Sequence, residues 1–368
     1  MLKKILLSFV LLILAAPCIH AENGDSTTLR QYYALVHSAS VAVCKGDYHK
    51  ASGLFDSAFT MISYPFHTDI NNAIYATIYG ENPDTAALRR YFDMLQKKGV
   101  NIYEKYHRYE NYRPYIVSYQ AEDSGTVTDK AAQHTIQDAI SNDQELRLFS
   151  KNYYDEYYHN SLLPAIDKID SVNFWVVDSI LHLSITSGIP IENLIGINAF
   201  WDVDIILGHN GGWGRYNKLL CDSMVRLGLM DARVMAHFYD DNCGAFYKDH
   251  RIKRSNWKED YQCDEFYGIY GTLILYVWGD VQFILFLNEN EKEVVDRNRE
   301  HLYLQNIYEE CKIRAFAFYH RQEGFSYPMI KMFPGTLEEI KEFESHILEW
   351  RPHYIKYNGY EDYELDRQ

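Results

Sequence analysis

Apolar positions recur at helical spacing along most of this chain. Tyr32, Leu35, Val36, Ala39 and Val43 form one face, broken by Lys45-Gly46-Asp47; Tyr48, Ala51, Leu54, Phe55, Ala58 and Phe59 form the next. The spacing predicts a helical hairpin over 27–62, in which Ala51 and Ala58 let the two helices approach closely. Ala73–Gly80 followed by Asp84–Leu95 reads as a second, degenerate pair. Further on, Phe174, Val177, Ile180, Leu181 and Leu183 share a face that stops at Gly188 and Pro190, as a helix C-terminus does. Helices are also expected over 197–207 and 216–227. From Thr272 the period switches to that of strands, and two apolar runs flank Trp278-Gly279-Asp280, a two-residue turn signal. Helical spacing returns at 291–299, 304–318 and 337–350, and the tyrosine-rich tail after Pro352 reads as loosely ordered.

The expected fold is mainly α: helical hairpins with one β-hairpin at about 272–287. Residues 22–119 form an N-terminal helical module, in which 101–120 is rich in tyrosine. Residues 120–135 are polar and aperiodic and read as a linker. A mostly helical domain carrying the hairpin follows over 136–335, and 336–368 supplies a C-terminal helix and tail.

Residues 1–21 read as a secretory signal, with Lys3 and Lys4 as the basic region, Ile5–Ala16 as the apolar one, and cleavage near Ala21. The apolar run is shorter than the roughly 20 residues a membrane-spanning helix needs. Cys18 is a lipidation alternative, in a poor context after Pro17. The expectation is a secreted or periplasmic protein with no transmembrane segment. The formal charge of −15 becomes two units more negative once Lys3 and Lys4 are removed, which argues against nucleic acid and anionic membranes as partners. Cleavage leaves Cys44, Cys221, Cys243, Cys263 and Cys311. Cys243 and Cys263 flank a polar insertion and are the candidate disulfide; five reduced or buried thiols is the other reading. No spacing matches a metal or redox motif, so neither a metal nor a cofactor is expected.

Some polar residues stand out against this background. Asp143 and Arg147 lie four apart on a helix pattern, with Gln144 beside them; at that spacing they can form an ordinary helix ion pair. His209 ends an apolar helix pattern just before glycines, a position that can face a cleft. Asp240 and Asp241 close another helix pattern, where adjacent carboxylates usually mark a solvated helix end. Tyr270-Gly271-Thr272 can present hydroxyls and amides to a ligand around a tight turn. Arg297 and Arg299 follow the hairpin, two residues apart and so on different sides of a helix. Arginine suits a carboxylate or phosphate because its planar fork binds two oxygens at once. The alternative for these arginines is an internal pair with Asp143 or Asp240.

Gly46-Asp47-Tyr48-His49-Lys50-Ala51 with Phe55 and Ala58 looks like a tetratricopeptide unit, which implies peptide or partner binding, or simply a scaffold layer. The order Asp143-Gln144-x-x-Arg147, residues 188–190, His209, 235–240, Tyr270-Gly271-Thr272 and Val295-Asp296-Arg297-x-Arg299 resembles the bacterial family called domain of unknown function 6624, over residues 136–312. That resemblance implies a domain and a candidate site, but no reaction. The chain departs from the family pattern: Gly268 and Leu273 stand where glutamines flank the Tyr-Gly-Thr element, and Asp241 stands where an arginine is usual. Residues 242–266 look like an insertion.

Two functions of different class follow. One is a non-catalytic envelope or periplasmic binding protein that engages a protein, peptide or glycan, with tyrosine-rich surfaces suited to the task. The other is a secreted, hydrolase-like enzyme in which His209 is the acid or base, Asp143 or Asp240 orients it, and Arg297 holds an anionic group. In that case Gln144, Arg147, Tyr270, Gly271, Thr272 and Arg299 would line the ligand site.

Overall fold

The computed structural model describes residues 26–119, 127–150, 161–211, 218–248, 270, 275–278, 281–285, 289–327 and 352–356. The expected signal segment, Gly271, Thr272, Cys263 and the helix expected over 337–350 lie outside the described residues. So do the side chains of Asp241 and Cys243. Among the described residues the fold is mostly helical.

The N-terminal region stacks α1 (Ser26–Cys44), α2 (Tyr48–Phe59), α3 (His67–Tyr79) and α4 (Thr85–Gln96), each packed on the next. Asp47 starts α2 by accepting the Lys50 N–H at 3.2 Å, and Asp84 starts α4 by accepting from Ala86 and Ala87 at 2.9 and 3.0 Å. α3 is buried on every side from His67 to Ile78, although it carries Asp69, Asn71, Asn72 and Thr77. Buried polar groups need partners, and these reach far along the chain. Asp69 binds Arg233 through both oxygens at 2.7 and 2.9 Å, and Asn72 exchanges two hydrogen bonds with the backbone of Ser326.

α5 (Ile102–Tyr106) and α6 (Arg113–Ile116) are short turns in the tyrosine-rich stretch. α7 (Lys130–Ser150) begins six residues before the expected resumption at Ile136, because Asp129 caps it by accepting the Ala132 N–H at 2.9 Å. α7 packs on α8 (Leu163–Ser187), which ends at Gly188 with φ 69°, the left-handed conformation that glycine adopts without strain. After the turn α9 (Ile191–Leu194) come α10 (Ile197–Gly211), α11 (Lys218–Arg226) and α12 (Ala232–Lys248). Gly196, at φ 84°, lets the start of α10 close on the N-terminal region, where the Ile197 N–H donates to the Lys98 carbonyl at 3.0 Å.

β1 (Leu275–Trp278) and β2 (Val281–Leu285) pair antiparallel with Trp278 opposite Val281, and β3 (Pro352–Lys356) pairs antiparallel with β2. β3 falls in the tail that the sequence reads as loosely ordered; His353, Tyr354 and Ile355 suit an edge strand once β2 offers hydrogen-bonding groups. α13 (Glu289–His301) and α14 (Ile307–His320) complete the described fold.

One hydrophobic cluster runs continuously from Leu29 to Phe325. Buried ion pairs cross it as well. Lys98 donates at 2.6 Å to both Glu192 and Asn193, while Glu192 also accepts the His67 N–H at 3.0 Å and contacts its Nδ1 at 2.9 Å. Burial would raise the Glu192 carboxyl, but Lys98 and His67 outweigh it and hold it down at about 2. Many tyrosines are core residues whose hydroxyls donate to acids: Tyr32 to Asp69 at 2.6 Å, Tyr91 to Asp56 at 2.7 Å and Tyr239 to Asp222 at 2.8 Å. The acidic excess of this chain therefore serves partly to receive buried phenols.

Candidate functional site

Helical phase brings the first polar group together. Asp143 and Arg147 share a face of α7, and α8 and α10 pack against that face. The Arg147 Nε donates to both Asp143 oxygens at 3.0 and 3.1 Å, and Gln144 Nε2 donates to Oδ2 at 2.9 Å. A second Arg147 nitrogen donates to Asp170 of α8. His209 Nδ1 approaches Asp143 Oδ2 to 3.0 Å. That contact is within ion-pair range but out of line for a hydrogen bond, since Nδ1 is buried with no aligned acceptor.

Exposure differs within this group. The side chains of Asp143 and Asp170 are 2% and 1% exposed, whereas those of Arg147 and His209 are 25% and 27% exposed. Both carboxylates are thus sealed behind a partly open cation and a partly open imidazole. Burial pushes the Asp143 carboxyl up, but His209 and then Arg147 prevail and hold it at about 2. Ligand atoms of Asp143, Asp170 and His209 lie within 4.8 Å of one another, a spacing that also suits a metal ion. Here the guanidinium of Arg147 already sits on both carboxylates and supplies the positive charge.

A second group surrounds Tyr270. Its N–H donates to Asp240 at 2.8 Å, and its carbonyl accepts from Arg299 Nη1 at 2.8 Å. Arg299 also donates to the Gln305 carbonyl at 2.6 Å and to Glu310. Arg299 and Asp240 are both 0% exposed. The Tyr270 peptide is therefore clamped on both edges by buried charge, and its ring stacks on Tyr239 with centroids 5.8 Å apart. This corrects the expectation of a solvated helix end at Asp240: α12 runs on to Lys248, and Asp240 faces inward because the Tyr270 amide satisfies it.

Two residues from Arg299 on the same helix, Arg297 pairs with Glu293 at 2.6 Å, with side chains 59% and 70% exposed. It forms an i, i+4 surface pair rather than lining either buried group. Arg299 does pair internally, but with Glu310 instead of Asp143 or Asp240. His209 lies in the last turn of α10, two residues before its end at Gly211, as the sequence pattern suggests.

Asp170 and Glu310 were not singled out from sequence. Each sits in an apolar helical register, Asp170 between Ile166 and Val177, and Glu310 beside Ile307 and Cys311. A carboxylate in such a register was the available signal, because it must meet a buried cation. Cys44, Cys221 and Cys311 are buried and form no disulfide among the described residues.

The fold and this geometry define a mostly helical protein with several polar groups set into its core. No family model, curated protein or solved structure matches the chain. Among the described residues no helix is long and apolar enough to cross a membrane.

Proposed function

We propose that this is a secreted or periplasmic, non-catalytic binding or interaction protein whose partner is a protein, peptide or glycan. The observation that carries the reading is the saturation of the polar residues that stood out in the sequence. Asp143 is held by Arg147 and Gln144, Asp240 by the Tyr270 amide, and Arg299 by two carbonyls and Glu310. Groups so occupied fix the fold and have little capacity left for a substrate. The tetratricopeptide-like module, the likeness to domain of unknown function 6624 and the hairpin over 272–287 belong to this proposal, as does cleavage near Ala21.

One observation favours the enzyme reading: a partly open His209 stands against a buried carboxylate, an arrangement that can move protons. Arg297, on an exposed helix face, is not the anion-binding group in that reading; Arg147 is the cation at hand. A panel of chromogenic esters, amides, glycosides and phosphomonoesters separates the two readings. The expected result is no turnover that His209→Ala abolishes. Turnover lost in a folded His209→Ala variant would overturn the non-catalytic reading. Mass analysis of the exported protein should find Glu22 at its N-terminus; retention of residues 1–21 would remove the secretion part.

A further inference from the structure

We propose that the cavity between residues 102–109 and 317–327 binds a small organic anion, a carboxylate or phosphate group carried on an aromatic or apolar body. This goes beyond the reading above and does not depend on it.

The cavity holds about 390 Å³, within the usual range for small-molecule sites. Its charged lining is Lys105 and Arg108, with no aspartate or glutamate among the lining residues. Neither cation pairs with an acid among the described residues. Elsewhere Arg30, Arg90, Arg147, Arg233, Arg297 and Arg299 each have a carboxylate within 4.0 Å. Lys105 and Arg108 rest instead on aromatic rings, 5.6 Å from the centroid of Tyr106 and 4.8 Å from that of Tyr109.

The neutral polar lining is also rich in unused donors. Ser326 is fixed through its backbone by Asn72, yet its Oγ is buried with no partner. Asn71 accepts the Tyr106 hydroxyl through Oδ1, which leaves its amide nitrogen with no acceptor among the described residues. Two cations, a hydroxyl and an amide thus converge without an acid; one Arg108 nitrogen donates to the Tyr109 hydroxyl at 2.7 Å, and an anion supplies what the remaining donors lack. Burial, and then the neighbouring Arg108, push the Lys105 ammonium down to about 8, against a smaller pull from Glu192. A bound anion relieves that repulsion.

Tyr109, Phe318 and Phe325 form the walls, which suit a ring or an alkyl body better than a bare ion. The walls are pre-set. Tyr106 stacks on Tyr112 with centroids 5.1 Å apart, and Gly324, at φ 102°, packs so closely on Tyr112 that a Cβ there has no room.

Calorimetric titration of the purified protein with phenyl phosphate, benzoate, inorganic phosphate and benzyl alcohol tests the site. Phenyl phosphate or benzoate should bind, and whichever is tighter identifies the head group. Inorganic phosphate should bind at least about tenfold more weakly than the tighter aryl anion, and benzyl alcohol should not bind measurably. Lys105→Met and Arg108→Gln should each weaken the tighter aryl anion about tenfold or more, the loss of one charged hydrogen bond. Their thermal unfolding midpoints, read alongside, should match the parent's. If Lys105→Met fails to fold, the exposed Arg108→Gln variant decides alone. The proposal is overturned if neither aryl anion binds, if benzyl alcohol or inorganic phosphate binds as tightly as the aryl anions, or if the substitutions leave the affinity unchanged.

Discussion

The Tyr270 clamp and the cavity at Lys105 treat positive charge in opposite ways. Arg299 is sealed from solvent and meets two carbonyls and Glu310. Lys105 and Arg108 face a cavity and meet rings but no acid. Around Arg299 the surrounding chain is complete, and no ligand is needed to satisfy it. Around Lys105 the donors wait for something the chain does not supply. The Asp143 group falls between, since its carboxylates are sealed while Arg147 and His209 are partly open.

Removing a cation from the closed group should have the largest effect. Arg299→Met leaves Glu310 charged and buried, at a cost of about 3–5 kcal/mol in chemical denaturation, the usual penalty for breaking a buried pair. A loss below about 1 kcal/mol would mean that the clamp is not closed.

Acid should come next. Asp143 and Glu192 have carboxyls held at about 2, below their unfolded values of about 4. A depressed folded pKa adds stability that is complete above about pH 4.5 and disappears as pH falls towards 2. The unfolding midpoint should therefore decline across that window, and Glu192→Gln should flatten the decline while lowering the midpoint at neutral pH. An unchanged acid limb in that variant would show that Glu192 does not carry it.

Within the Asp143 group the sealed and open members should part. Asp143→Ala removes the carboxylate that the Arg147 Nε binds and should cost about 1–3 kcal/mol in urea unfolding. His209→Ala, whose nitrogen has no aligned acceptor, should cost about 1 kcal/mol or less. Equal losses would place His209 within the structural network.

The smallest effect is expected at Arg297. Its pair with Glu293 is exposed, so Arg297→Ala should stay within about 0.5 kcal/mol of the parent by thermal unfolding. A larger loss would give Arg297 a buried partner it does not have here.

Much of the helical order was legible because it rests on local signals. Asp84 and Gly188 cap helices where their residue types predict, and the apolar spacing of 32–59 follows α1 and α2. Long-range partners were not legible. Arg299 reads from sequence as a ligand-binding arginine because nothing local reveals Glu310 packing against it from the next helix. Asp240 reads as solvated because its acceptor role depends on Tyr270, thirty residues away. Which tyrosines belong to the core was not legible, because the acids that receive their hydroxyls are distant in the chain, as with Tyr32 and Asp69. Lys105 and Arg108 passed unnoticed for the same reason: that they lack an acidic partner among the described residues is a property of the packed molecule.

The contrast between saturated and unsaturated cations is tested most directly by urea unfolding of Arg299→Met and Lys105→Met side by side. The account predicts a loss of about 3–5 kcal/mol for the first and no loss, or a slight gain from relieved repulsion with Arg108, for the second. Equal losses in the two variants, or a larger one at Lys105, would contradict it.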